Sequence, residues 1–414
     1  MTIAGGVMRE IDIAIVGGGA AGIGAARAIA GSGRSALILE AGDRLGGRAW
    51  TVNARGLALD LGCGWLHSAR RNAWASIARE MGVEVEHTPM LWRRQYRDLG
   101  FPPAEREEAL RAVAAFHERL REHPSASDRA ADAFAPGCRW NPYLEALSGY
   151  LNGAEFEHVS AADYLAYDDA AGEENWRLPG GYGALVVRAA PAEIPVRFAA
   201  PVTRIDRRGK RLRLETPGGA ILARAAIVTV PTPVLALGRL AFDPPLPDKQ
   251  AAAEALPLGL ADKLFLALDD AGIDADAHLI GNPHRAETGS YMLRPFGRPI
   301  VECFYGGRAA RMLEREGEAA ACAFAVDELA ALLGSAIRAK LRPLAHCFWG
   351  RERWIVGSYS HALPGRRAAR ATLAEPVEER IFFAGEACSP DDFTTAHGAH
   401  DTGATAARMA LAFL

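Results

Sequence analysis

The stretch that most constrains this chain is IAIVGGGAAGIGAARAIA, residues 13–30. The apolar run Ile11–Val16 reads as a buried parallel strand, and alanine-rich Gly22–Ser32 as the helix that follows it. Between them Gly17, Gly18, Gly19, Ala20, Ala21 and Gly22 fit the spacing G-x-G-x-x-G. SALILEAG, Ser35–Gly42, is the next strand, and Glu40 closes it about twenty residues beyond the glycines. Glycines alone are a weak signal, because they also serve to pack helix on strand. Strand, glycine turn, helix, strand and acidic residue in this order make a βαβ dinucleotide unit. The glycines let backbone N–H groups approach a pyrophosphate at the helix N-terminus, and Glu40 accepts hydrogen bonds from a ribose diol.

A second strand-to-helix turn lies near the other end, in FFAGEACSPDDFTTAHGAHDTGATAA, Phe382–Ala407. It combines a buried strand, a glycine turn, a polar loop and a small-residue helix. Two such turns from opposite ends predict one long cofactor held at both ends. DRLGGRAWT, Asp43–Thr51, sets Arg44 and Arg48 around a glycine pair that includes Gly47, directly after Glu40. Arg48 is suited to neutralise a pyrophosphate. An NAD site has no need of this cationic turn, so FAD is the better match.

At 414 residues the chain exceeds one hydrophobic core, and two domains are expected. Half of it is apolar, 23% is charged and the net charge is −3, so no basic field exists to hold nucleic acid or anionic lipid. Cys63, Cys138, Cys303, Cys322, Cys347 and Cys388 form no C-x-x-C pair. Zinc spacing is absent, no metal is expected, and reduced thiols fit a cytoplasmic location. MTIAGGVMRE lacks the pattern of a secretory signal. Ile11–Ala30 contains Asp12, Arg27 and many glycines, and the tail MALAFL is short, so no membrane span is expected.

Pro103–Arg121 reads as an amphipathic helix on Leu110, Val113, Phe116 and Leu120, within a mostly helical insertion over 86–175. Val202–Pro231 alternates around RRGK and PGG turns as an antiparallel meander. Strands are expected at Lys263–Leu268 and Pro299–Tyr305, and a helix near Cys322–Leu333.

Several segments together resemble one family, the flavin-containing amine oxidases, which include monoamine, polyamine and L-amino-acid oxidases. They are GGGAAG with Glu40, RLGGR, DLGCGWLH (Asp60–His67), LPGGYGALV (Leu178–Val186), the Val202 meander, ADKLFLAL (Ala261–Leu268), GSYSHALPG (Gly357–Gly365) and FAGEA with HGAHDTG. The resemblance implies an α/β fold. A Rossmann-like, glutathione-reductase-type FAD domain would be assembled from 10–85, 176–260 and 350–414. An α+β substrate domain would be inserted as 86–175 and 261–349.

By the same resemblance Gly385 and Glu386 meet the ribityl–phosphate region. Thr394 to Ala399, with Thr395 and Ala396 among them, lie beside the flavin ring, and a helix starting near Ala399 points its positive end at it. Gly62, Gly64 and Trp65 belong to the small-residue turn beneath the ring, with Cys63 as a small filler. Val202 joins the cofactor wall. Lys263 reaches flavin N5 through a water; a lysine on this apolar strand is otherwise out of place. Ser358 stands where monoamine oxidases carry the cysteine that bonds to FAD, so the flavin is expected to be non-covalent. Tyr359 matches one aromatic wall of the substrate cage and Thr395 occupies the other wall's position, with Trp354 as a replacement aromatic surface. His67, His397 and His400 are candidate acid–base groups, and Asn175 and Trp176 candidate substrate contacts.

The activity implied is oxidation of a neutral small-molecule amine. Hydride passes to flavin N5, the imine is hydrolysed to a carbonyl plus amine or ammonia, and O2 or another acceptor re-oxidises the flavin, with O2 giving hydrogen peroxide. The alternatives are an FAD-dependent C–C desaturase of the phytoene desaturase or protoporphyrinogen oxidase kind, and a flavin-bound scaffold. A monomer or homodimer is compatible with the sequence.

Overall fold

The computed structural model describes residues 9–89, 92, 94–269 and 272–414. It is α/β, with an eight-stranded and a five-stranded sheet. In the larger sheet the strand Arg9–Val16 pairs in parallel with Ala36–Leu39 on one side and Gly219–Val228 on the other. Ile13 and Ile15 enter one core and Ala14 and Val16 the opposite one. That alternation, with both faces covered, is what a parallel strand requires. The helix Ala20–Ile29 makes the crossover. It begins at Ala20 rather than Gly22, because the glycine turn itself enters the first helical turn.

Gly219–Val228 is shared along its length. Its first half closes the meander as the antiparallel partner of Leu212–Thr216, and its second half takes Ile381–Phe383 in parallel. The late strand therefore lies one strand away from the first. The helix Ala396–Phe413 then packs on Ala20–Ile29, with Ala399, Ala406 and Ala407 in the same core as Ala21, Ala25 and Ala26. Side chains this small let the two helices approach closely.

The smaller sheet is antiparallel, in the order Ala277–Ile280, Ser290–Leu293, Ile300–Gly306, Ala261–Leu268, Leu341–Cys347. Ala261–Leu268 thus has a partner on each side and is buried at every residue. Lys263 is an interior-strand lysine, not one that reaches solvent from an edge. The helices Pro103–Glu122, Asn141–Asn152 and Ala161–Ala170 make up most of the helical segment. Asn141–Asn152 lies directly on Ile300–Gly306: a Cβ added to Gly306 would sit 1.9 Å from the Gly149 carbonyl oxygen. This contact sets Tyr150 over the sheet. Among the described residues no helix is long and apolar enough to cross a membrane.

Candidate active site

A cavity of about 590 Å³ runs from the glycine turn Gly17–Ala21 to the face of the smaller sheet. At its first end the helix Ala20–Ile29 opens on Gly19 with no side-chain cap, which leaves a helix end suited to an anion. Gly22 has no room for a side chain, since its Cβ would lie 2.0 Å from the Gly17 carbonyl oxygen. Glu40 accepts the Gly18 and Gly42 N–H groups, each at 2.7 Å. It braces the two loops and keeps a second lone pair on each oxygen for a diol. Gly47 and Val202 complete this wall.

Arg48 has protein partners of its own. Its guanidinium pairs with Glu386 at 2.9 Å and donates to the Ser358 carbonyl. Arg44 lies 4.3 Å from the Trp50 ring and donates to the Gly47 carbonyl. In the floor, Gly62 approaches so closely that a Cβ would be 1.8 Å from the Arg48 carbonyl oxygen. Burial pushes the neighbouring Cys63 thiol far up, in keeping with a small filler.

Glu386 is buried and follows Gly385 in a short turn. Burial would raise its pKa, but Arg48, Ser360 and Arg370 outweigh that and hold it below the usual carboxylate range. The C-terminal helix starts at Ala396, not near Ala399. Thr395 caps it, its hydroxyl accepting the Gly398 N–H at 3.0 Å and donating to the Asp392 carbonyl at 2.6 Å. Thr395, Ala396 and Ala399 all face the cavity, as does Trp354, whose ring lies 4.7 Å from the Arg353 guanidinium.

At the far end Lys263 projects over Gly64, to which an added Cβ would lie 2.9 Å from Nζ. Nζ meets Glu302 at 2.8 Å. Burial would lower the pKa of this ammonium, but Glu302 and then Asp60 reverse the effect and raise it above the ordinary value. Tyr359 donates its hydroxyl to the Tyr150 carbonyl. Trp65, Trp92, Tyr150, Tyr167, Phe304 and Tyr359 give this end an aromatic lining. Tyr167, packed 5.6 Å from Phe393, supplies an aromatic wall that Thr395 cannot.

The other sequence candidates separate. His67 lines the cavity, with Nδ1 2.7 Å from the Asn175 amide oxygen. Burial pushes it down to about 4, so it is neutral at ordinary pH. Asn175 is outside the cavity lining and meets it only through His67, while Trp176 packs edge-on against His87 at 4.2 Å. Neither lines the cavity; the pairing of Trp176–Arg177 with Trp65–Leu66 places Trp176 beside its wall. His397 is buried against Asp392 at 3.0 Å, and His400 packs on Trp74 at 5.0 Å; neither lines the cavity. Sequence reasoning missed Glu302, Tyr150, Tyr167, Phe304 and His278. The register between strands brings Glu302 to Lys263, and a single strand's pattern does not contain that information.

An uncapped helix end, a diol acceptor, glycine-only floor positions and a second helix end across the groove fit a flavin dinucleotide. Residues 20–411 match the profile of the flavin-containing amine oxidoreductase family. The chain belongs to the flavin-containing amine oxidoreductases. It is an FAD-dependent amine oxidase acting on CH–NH or CH–NH2 groups, and C–C desaturation is not favoured. Polyamine oxidase 2 of Arabidopsis thaliana is 28% identical over 96% of this amine oxidase and 88% of its own length. Polyamine oxidase 3 of Oryza sativa subsp. japonica is 28% identical over 95% and 87%. A putrescine oxidase structure, wild type bound to putrescine, shares the fold with a TM-score of 0.78 at 20% identity, covering 97% of this chain and 99% of that one.

Proposed function

We propose that this amine oxidase takes a small aliphatic amine, with polyamines as the first class to test, and returns its electrons from non-covalent FAD to O2, releasing hydrogen peroxide. The names of the relatives support the substrate class. Ser358 in the attachment position supports a non-covalent flavin; its hydroxyl donates to the Gly259 carbonyl at 3.0 Å.

The observation that carries the reading is the buried ammonium of Lys263 where the glycine-floored groove opens into the aromatic chamber. Bound FAD would supply the two-electron acceptor for a hydride from the carbon next to the amine nitrogen. Tyr359 and Tyr167 flank that end and orient the amine. Neutral His67 adds no positive charge against it. Lys263 would reach the flavin through a water, and its charge favours anionic oxygen species. Gly17, Gly19, Ala20, Ala21, Gly22, Glu40 and Gly47 hold the ADP half. Gly62, Gly64, Trp65, Val202, Trp354, Gly385, Glu386, Thr395, Ala396 and Ala399 hold the flavin half. The chain divides into an FAD domain of 10–85, 176–260 and 350–414 and a substrate domain of 86–175 and 261–349.

Anaerobic mixing of the yellow protein with putrescine, spermidine, spermine and simple monoamines tests the reading. Flavin bleaching by an amine, followed by peroxide on admitting O2, is the expected result. A panel in which no amine bleaches the flavin would overturn it.

A further inference from the structure

We propose that Glu302 is the positioning residue of Lys263, holding its ammonium against Gly64 at the wall between the main cavity and a small polar one behind it. The proposal rests on Lys263 serving beside the flavin.

Glu302 pairs across strands with Phe265, and Lys263 with Phe304, so the two lie diagonally on adjacent strands. Long side chains on one face reach across such a diagonal, and here they meet at 2.8 Å. Asp60 is the other carboxylate close by, but three bonds to other groups already fix its side chain. Its oxygens accept the Thr51 hydroxyl at 2.5 Å and the Tyr182 and Gly183 N–H groups at 2.8 and 3.1 Å. Asp60 is fixed by the turn it holds, which leaves Glu302 as the carboxylate that sets the position of the ammonium.

The second cavity, about 40 Å³, is lined by Asp60, Lys263, Glu302, Arg177 and Arg298. Arg177 gives one nitrogen to Asp276 at 2.7 Å, while its buried Nε has no partner. A polar space of this size has room for water, which needs roughly 10–15 Å³ a molecule. Hydration from behind would lower the cost of burying the pair. A buried ion pair adds little stability over well-packed apolar side chains, so stability alone does not account for it on this apolar strand.

The groups facing Lys263 are Glu302, Asp60 and Cys63; Arg177 and Arg298 face it across the small cavity, and His67 and His278 across the large one. Without the Glu302 charge, burial acts on Lys263 against Asp60 alone, and its pKa falls.

The chain has only four lysines, Lys210, Lys249, Lys263 and Lys340, so lysine labelled with 13C at Cε gives four signals in the FAD-loaded protein. Lys263→Met identifies one of them. In Glu302→Gln that signal should titrate at least about one pH unit lower than in the parent, and in Glu302→Asp at an intermediate value. Equal midpoints in parent and Glu302→Gln would overturn the proposal. If Glu302→Gln does not load FAD, a Glu302→Asp midpoint equal to the parent's overturns it. Re-oxidation of the reduced protein supplies the second readout. Glu302→Gln should match the parent near about pH 6 and lose about tenfold per unit above the new midpoint. A uniform loss at every pH would assign Glu302 to packing and overturn the proposal. If Lys263→Met re-oxidises as fast as the parent, the reading of Lys263 at the flavin fails, and the NMR midpoints still decide the pairing.

Discussion

Arg48 and Glu386 lie 338 positions apart in sequence, and their side chains meet at 2.9 Å. Glu386 also accepts the Ser360 hydroxyl at 2.7 Å, and Ser360 receives Arg370 at 3.0 Å. Arg370 in turn holds Asp163 with two bonds of 2.7 Å. A buried polar chain thus runs from the floor of the flavin groove to the helix that carries Tyr167. Arg48→Ala removes the nearest cation from a buried carboxylate. The expected loss is about 1.5–3 kcal/mol of stability, read as a lowered midpoint in urea with unchanged slope. An unchanged midpoint would mean that Arg370 alone supports Glu386.

Acid precipitation should release the flavin, because Ser358 offers no thiol for attachment. The yellow colour is expected in the supernatant. Colour that stays with the washed, proteolysed pellet would show a covalent bond.

Glu40→Ala should weaken FAD binding. Two bonds to the ribose disappear, at about 1.5–3 kcal/mol each, and the brace between Gly18 and Gly42 goes with them. Titrating apoprotein with FAD by flavin fluorescence measures this. A variant that binds FAD as tightly as the parent removes Glu40 from the site.

Lys263→Met keeps the side-chain length and removes the charge. FAD should still bind, while re-oxidation by O2 slows about a hundredfold. Stopped-flow mixing of pre-reduced protein with oxygenated buffer isolates that step. Equal rates in variant and parent would leave Lys263 a structural residue.

The contribution of His278 and His361 to thermal stability should fall as pH drops from 6.5 toward 4, against the raised carboxylates Glu145, Asp60 and Asp262, which act in the opposite direction. Burial pushes His278 and His361 down from 6.5 to about 4, so in that window the unfolded chain binds protons that the folded one refuses. Their contribution is complete above 6.5 and is lost as the pH falls through 4. Glu386, held below its ordinary value, adds its loss below about 4.5. A His361→Gln variant whose Tm falls between pH 7 and 4 by as much as the parent's would contradict this.

The glycine turns and the buried lysine were legible in the sequence because each is a local contradiction. Glycines in that density fit only a turn pressed against something, and Lys263 fits no apolar strand without a task. The N-terminal βαβ unit, the meander and the helix Pro103–Glu122 were legible for the same local reason, periodicity. The strands Ala277–Ile280, Ser290–Leu293 and Leu341–Cys347 were missed; they are short or interrupted by charge and proline, and pairing makes them strands. The substrate wall was hidden more deeply. Tyr150 reaches it through the Gly149–Gly306 contact and Glu302 through strand register, while Trp176 sits in a two-residue strand beside the wall.

The strand Gly219–Val228 is bordered by Arg9–Val16 on one side and Ile381–Phe383 on the other. A ribosome delivers those neighbours far apart in time. Until the second arrives, the nascent chain carries the first glycine turn with nothing to grip the far half of the ligand. Gly385, Glu386 and the helix Ala396–Phe413 leave the exit tunnel late, and domains assemble as their segments emerge. A chain cut before residue 380 would keep its first phosphate-binding turn and lose the second, and should stay colourless.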